Sequence, residues 1–418
     1  MTGVRWRAAA IAVFIVVSGA FVVFSAASAP VTGRGAPPPA YNTAKPTAAV
    51  QTAAPPTAAP TDEPMEPIDT NEARAREILA AMTEDEKLYQ LFIVTPEALM
   101  PGLGSVSVAG ETMQKALELQ PVGGIIYSKQ NLIDAEQTTE MLATMQSCSR
   151  LPLFLGVDEE GGRVSRVSFQ SAMGFEKAPA MAKIGETGDP AQAYAVGSEI
   201  GQMLRELGFN LDFAPVADVL VNPGNKVIGD RSFGSEPELV ALMTASFTQG
   251  LRDSGIAASL KHFPGQGGTT DDTHNGRSVS ERTLEELRGT EFLPFASGIE
   301  AGADFVMLAH ISAVNVDTER PASLSPEIVG LLRRELGFER VIITDALDMG
   351  AITDIYSSGG AAAQAIVAGV DVLLMPKNLD DAVKGLRDAL ETGQLTWERI
   401  DESIVRILKV KLERGIVE

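Results

Sequence analysis

Val341-Ile342-Ile343-Thr344-Asp345 places four β-branched residues in a row and ends them with a carboxylate. Branching at Cβ restricts χ1 and favours extended backbone, so the run reads as a strand. It shows no polar alternation, which is the pattern of a strand covered on both faces in a parallel sheet. Comparable apolar runs occur at residues 91–94, 122–127, 152–157, 209–213, 256–260, 305–309 and 372–375, with helical stretches between them. Eight buried strands alternating with helices predict an α/β fold, a single (β/α)8 TIM barrel. An open doubly wound sheet is the alternative built from the same elements.

Polar residues cluster just after these runs. Asp158-Glu159-Glu160-Gly161-Gly162-Arg163 follows the third, Asp230-Arg231 lies in the loop after the fourth, and Lys261-His262 stands at the fifth. His310 follows the sixth and Asp345 the seventh. In a barrel these loops all open on the C-terminal face, so residues far apart in sequence converge on one pocket. That convergence points to an enzyme.

The chain has three histidines, and two lie in the glycine-rich run Lys261-His262-Phe263-Pro264-Gly265-Gln266-Gly267-Gly268-Thr269-Thr270-Asp271-Asp272-Thr273-His274. In an extended loop Asp272 and His274 fall on the same side. An aspartate there accepts from one imidazole nitrogen and leaves the other to exchange protons with a substrate. Asp345 then reads as a nucleophile across the pocket; the alternative is a helix-capping Asp345 with His274 as a solvated loop residue. Lys261, His262, Arg163 and Arg231 supply donors that suit a ligand rich in hydroxyls and carbonyls, such as a sugar. The two arginines fit equally well as ion-paired supports for Glu159, Glu160 or Asp230. Gln266 fits either a loop turn or a ligand contact. His262, His274 and His310 show no metal-ligand spacing, and no metal or cofactor is expected.

A net charge of −21 argues against a nucleic-acid partner, which needs clustered Lys and Arg. At the N-terminus Arg5 and Arg7 precede a strongly apolar stretch, residues 8–24, so residues 1–29 read as an export signal or an uncleaved membrane anchor. Residues 30–67 contain ten prolines and little to pack, and read as a disordered linker. At roughly 3 Å per residue such a linker reaches about 100 Å from a membrane. Thr83-Glu84-Asp85-Glu86 is a capping-box helix start, and the folded barrel is expected over residues 68–418. With Cys148 as its single cysteine the chain forms no internal disulfide, so the core supplies stability.

From residue 68 onward the chain resembles glycoside hydrolase family 3, specifically the bacterial β-N-acetylglucosaminidases. The resemblance is carried by Gly156-Val157-Asp158-Glu159-Glu160-Gly161-Gly162-Arg163, Asn210-Leu211-Asp212-Phe213-Ala214-Pro215, Ile228-Gly229-Asp230-Arg231-Ser232-Phe233-Gly234, the 261–274 run and Val341-Ile342-Ile343-Thr344-Asp345-Ala346-Leu347. It implies a (β/α)8 barrel and a retaining mechanism, with Asp345 as nucleophile and His274, oriented by Asp272, as acid and base. Asp158 matches a carboxylate that holds sugar hydroxyls. Arg231, Lys261 and His262 match residues that grip the N-acetylglucosamine ring, and Arg163 and His310 match supporting positions. Two positions depart from the family pattern: Gln266 stands where members commonly have histidine, and Ala346 where they commonly have a second aspartate.

The resemblance therefore implies release of N-acetylglucosamine from peptidoglycan-derived glycans outside the cell, by a barrel that is secreted or anchored with its catalytic face outside. Ending after one barrel and carrying the Asp272/His274 pair both favour this branch over family 3 β-glucosidases and β-xylosidases. Because a neutral imidazole does not repel anions, phosphate is a conceivable acceptor, which makes a phosphorylase the alternative. A sugar-binding barrel without catalysis is the non-enzyme alternative.

Overall fold

The computed structural model describes residues 69–269, 272–273 and 276–418. The expected export or anchor segment, the linker and His274 lie outside the described residues. Among those described, no helix is long and apolar enough to cross a membrane.

The second described helix carries the expected cap. Thr83 Oγ1 accepts from the Glu86 N–H, and the Glu86 carboxylate accepts from the Thr83 N–H at 2.8 Å, opening helix Glu84–Gln90. The barrel strands follow in chain order: β1 (Phe92–Val94), β2 (Gly124–Tyr127), β3 (Phe154–Val157), β4 (Leu211–Asp212), β5 (Ala257–Phe263), β6 (Phe305–Leu308), β7 (Val341–Thr344) and β8 (Leu373–Leu374). Each falls within or overlaps one of the eight apolar runs. Neighbours pair in parallel all the way round, from Phe92 opposite Leu373 to Phe305 opposite Val341. A parallel bridge between Ile343 and Val372 brings β7 to β8 and closes the ring. Closure excludes the open sheet.

Every residue of these eight barrel strands is buried, because the inner face packs in the barrel and the outer face lies under the helices. The helix pair Pro190–Leu207 and Pro237–Asp253 packs so closely that a Cβ on Gly197 would sit 2.4 Å from the Phe247 carbonyl oxygen. At the strand N-termini, Asp304 is ion-paired with Arg340 and Arg414, and Asp371 with Arg333, Arg399 and Arg406. A cavity of about 900 Å³ lies beside these arginines, at the end of the barrel that ordinarily serves stability.

Lys411, on the final helix Trp397–Glu413, enters the barrel floor fully buried. Its Nζ lies 5.0 Å from the Phe154 ring centroid and donates to Gln90 Oε1 at 2.9 Å. Burial pushes this ammonium down from 10.5 to about 7. The sign of the consequence is fixed. Between about pH 7 and 10.5 the unfolded chain holds more protons than the folded one, so stability rises with pH through that window; below it the folded state bears the full burial penalty. Lys411→Met keeps the volume and removes the charge, at the loss of one hydrogen bond to Gln90. It is expected to raise stability near pH 6 by about 2 kcal/mol, or about 3 °C in Tm. It should also flatten the rise of Tm with pH. Thermal unfolding of both proteins from pH 6 to 9 checks this, and a lower Tm for the variant at pH 6 would contradict it.

Candidate active site

β5 runs to Phe263, longer than its apolar run, and so carries Lys261 and His262 on the strand itself at the C-terminal end of the barrel. Lys261 is buried. Its Nζ lies 2.7 Å from Asp158 Oδ1, just after β3, and 2.6 Å from Glu160 Oε1. Arg231 completes the set by gripping Glu160 with two parallel bonds, Nε to Oε2 and Nη2 to Oε1, both 2.8 Å. Burial alone would raise Glu160, but Arg231 and Lys261 outweigh it and hold the carboxyl far below its ordinary range. Burial would likewise lower Lys261, and Asp158 and Glu160 reverse that. Arg166 adds a third cation, 3.6 Å from Asp158 Oδ2.

The turn that aims Glu160 depends on glycine. Gly161 and Gly162 have φ of +83° and +57°, and a Cβ on either would meet the 178–180 segment at 2.7 Å. Glu159, one residue earlier, points elsewhere. Fully buried, it accepts from the backbone N–H groups of Arg166 and Val167 at 2.7 and 2.8 Å, tying down the loop after β3. Asp212 on β4 accepts from the Glu159 N–H at 2.9 Å, and burial pushes its carboxyl well above the usual range.

His262 is oriented by a residue that sequence reading did not single out. Asp218, fully buried, accepts from His262 Nδ1 at 2.7 Å, from the His262 N–H at 3.1 Å and from the Gln266 N–H at 2.6 Å. The carboxylate fixes the hydrogen on Nδ1 and directs Nε2 away from Asp218. Gln266 proves to hold the loop: its carbonyl accepts from Asn225 Nδ2 at 2.8 Å, and its amide donates to Thr273 Oγ1 at 3.3 Å.

Asp345 follows β7, its N–H still donating to Leu308 O at 2.9 Å. Half-buried, it accepts from the Ala346 N–H through Oδ1 at 2.8 Å. It caps no helix: the next one, Gly350–Thr353, starts after Met349. Burial alone would raise its carboxyl, but His262, His310, the Ala346 N–H and Lys261 together hold it below the ordinary value, so it is ionised at neutral pH. His310 also braces the loop. A carbonyl only accepts, so the contact of Nε2 with Ala346 O at 2.9 Å places the hydrogen on Nε2, and in the neutral ring the Ser323 hydroxyl donates to Nδ1 at 2.7 Å.

The structure thus brings Asp158, Lys261, His262, Arg231 and Asp345 to one end of the barrel. Arg163 stands further out: its Nε pairs with Asp230 at 2.8 Å, and its Nη2 donates to the carbonyls of Lys226, Val227 and Ile228, so it braces the loop that carries Arg231. Asp272 lines a cavity of about 590 Å³ together with Arg163, Lys226 and Arg231. Asp218 and Arg166 are the members that sequence reading passed over, and Glu160, read there only as one of three acids that an arginine would support, pairs with both Arg231 and Lys261. Asp218 had one signal, a carboxylate inside the otherwise apolar Phe213–Leu220 stretch after β4.

Residues 83–410 match the model for the glycosyl hydrolase family 3 N terminal domain. The chain is 38% identical over 292 residues to a beta-hexosaminidase of Stenotrophomonas maltophilia, covering 67% of this chain and 84% of that one. It is 35% identical over 317 residues to Beta-hexosaminidase A of Pseudoalteromonas piscicida, covering 69% of this chain and 53% of that longer one. A glycoside hydrolase family 3 beta-N-acetylglucosaminidase from Paenibacillus superposes with a TM-score of 0.75 at 36% identity, covering 80% of this chain and 63% of that one. A closed eight-stranded barrel with carboxylates, lysine and histidine at its C-terminal mouth agrees with all three likenesses: the chain belongs to glycosyl hydrolase family 3.

Proposed function

We propose that the chain is a retaining, exo-acting β-N-acetylglucosaminidase that releases N-acetylglucosamine from peptidoglycan-derived glycans outside the cell. The observation that carries the chemistry is the Asp345 carboxylate, kept ionised at the end of β7 among His262, His310 and Lys261. An ionised carboxylate at the barrel mouth suits attack on an anomeric carbon, forming a covalent glycosyl-enzyme. Its low basicity also suits it to leave again. Lys261 and Arg231, locked by Asp158 and Glu160, present fixed donors to sugar oxygens without reorganising during the reaction. His274, oriented by Asp272, protonates the departing oxygen and then activates the acceptor. The relatives named for hexosaminidase activity support the sugar, and the basic and apolar N-terminal pattern supports export, with or without a retained anchor.

Turnover of aryl N-acetylglucosaminide and aryl glucoside tests the substrate. A preference of about 100-fold or more for the former is expected, since a site built to bind an acetamido group rejects a sugar that lacks it. Equal turnover would assign the chain to the glucosidase or xylosidase branch instead. Product analysis in phosphate buffer identifies the acceptor: N-acetylglucosamine is expected, and a dominant N-acetylglucosamine 1-phosphate would make the enzyme a phosphorylase.

A further inference from the structure

The segment that bears Asp272 leaves β5 through Pro264-Gly265-Gln266-Gly267-Gly268, and its base is packed like a core. Gly265 has φ of +125°, and a Cβ there would sit 2.4 Å from Cγ of Glu291. Glu291 is itself fully buried, and Arg282 grips it through Nε to Oε1 at 2.9 Å and Nη2 to Oε2 at 3.1 Å. Arg282 follows the segment in sequence, so one ion pair ties its exit to its entrance. On the other flank the Gly267 carbonyl accepts from the Asn222 N–H at 3.0 Å, and a Cβ on Gly267 would lie 1.9 Å from the Val219 carbonyl oxygen.

Gln266 sits between these two glycines with both main-chain groups committed. Its N–H donates to Asp218 at 2.6 Å, and its carbonyl accepts from Asn225 Nδ2 at 2.8 Å and Thr269 Oγ1 at 3.0 Å. Its side chain therefore starts from a fixed Cα. The amide reaches forward along the segment, and Nε2 donates to Thr273 Oγ1 at 3.3 Å. Thr273 stands between Asp272 and His274 in sequence. The same Asp218 holds His262 Nδ1 at 2.7 Å, so an unbroken set of bonds runs from His262 to the stretch that bears the proposed acid and base. Gln266 and Thr273 are 2% and 1% exposed, so water is poorly placed to replace their bond once it is lost.

We infer that Gln266 is a positioning residue for the proton-transfer step: its side chain braces Thr273 against the fixed base and so sets the stretch that bears Asp272 and His274. It touches no reacting atom. Proton transfer needs hydrogen-bond reach, so slack of about 1 Å in this stretch weakens it while leaving attack by Asp345 intact. This rests on the reading of Asp345 and His274 given above and adds the residue through which the second of them is held.

Two aryl N-acetylglucosaminides isolate the step, because methoxyphenol needs a proton to leave and dinitrophenol does not. Gln266→Met and Thr273→Val each keep the approximate size of the side chain and remove one end of the brace. In either variant kcat/KM on the methoxyphenyl substrate should fall about tenfold, with the dinitrophenyl substrate changed by less than about threefold. The double variant should also lose about tenfold rather than about a hundredfold, since both substitutions break the same bond. Retained turnover of the dinitrophenyl substrate shows that each variant is folded. Equal losses on both substrates, losses that multiply in the double variant, or no loss at all overturn the brace. His274→Ala separates this from failure of the parent reading, and it should lose at least as much on the methoxyphenyl substrate. If its losses do not depend on the leaving group, His274 is not the proton carrier and the inference falls with it. If they do, while those of Gln266→Met do not, the brace alone is wrong.

Discussion

Asp345→Asn is expected to lower kcat on aryl N-acetylglucosaminide by about 10⁴-fold while leaving the barrel folded. The substitution keeps the shape and the acceptor that meets the Ala346 N–H, so geometry is nearly preserved. What changes is nucleophilicity: an amide cannot attack the anomeric carbon, and the field of His262, His310 and Lys261 no longer has an anion to stabilise. Binding should persist, because Lys261 and Arg231 keep their partners Asp158 and Glu160. A purely positioning role would give a similar loss, so a second variant separates the two. Asp345→Gly opens space beneath the anomeric carbon, and azide added at molar concentration should attack there and yield the α-glycosyl azide. Recovery of turnover with that stereochemistry identifies the carboxylate as the nucleophile. Azide that gives no product, or an Asp345→Asn variant within tenfold of the unaltered enzyme, removes Asp345 from that role.

The strands were legible because a parallel strand buried on both faces must be apolar along its length, and Val341–Thr344 advertises this without help from its neighbours. Asp345 was legible for the same reason, as the first charge after such a run. Ring closure was not, since the contact of Ile343 with Val372 is a tertiary fact. Glu159 and Glu160 show where sequence reasoning stops. They are chemically identical and adjacent, yet alternation along extended chain sends one into backbone amides and the other onto Arg231 and Lys261. Which does which depends on partners 71 and 101 residues away in sequence. Asp218 escaped for the same reason, because its role exists only once His262, 44 residues on, is folded against it. Arg163 and Arg231 were read as sugar ligands or ion-paired supports, and both are ion-paired, with Arg231 also lining the cavity beside Asp272. Lys411 had no sequence signal beyond a charge near the apolar stripe of its helix, and only the barrel floor explains its burial.

Glu160→Gln should be the most damaging single change to the pocket wall. The carboxylate is 1% exposed and neutralises two buried cations, Arg231 at 2.8 Å and Lys261 at 2.6 Å. Removing one partner of a buried ionic set leaves the others without compensation, which costs about 3 kcal/mol, or about 4 °C in Tm for a domain of this size. The glutamine side chain still offers an oxygen to one cation, so the fold should survive. Turnover should fall more than stability, with kcat/KM down about 100-fold. Lys261 is then balanced by Asp158 alone, and Arg231 loses the two-bond grip that fixes its guanidinium. The pH dependence gives an independent reading. Because the folded carboxyl lies far below its unfolded value of 4.5, its stabilisation is complete above pH 4.5 and is lost as pH falls below it. The stability gap between the unaltered protein and Glu160→Gln should therefore narrow on acidification. A further substitution settles whether the loss comes from uncompensated charge. Arg231→Met added to Glu160→Gln should cost little more, or restore stability, since the orphaned cation is gone. If the second substitution instead destabilises by as much again, Glu160 and Arg231 act independently and the buried network is not the element that sets the pocket.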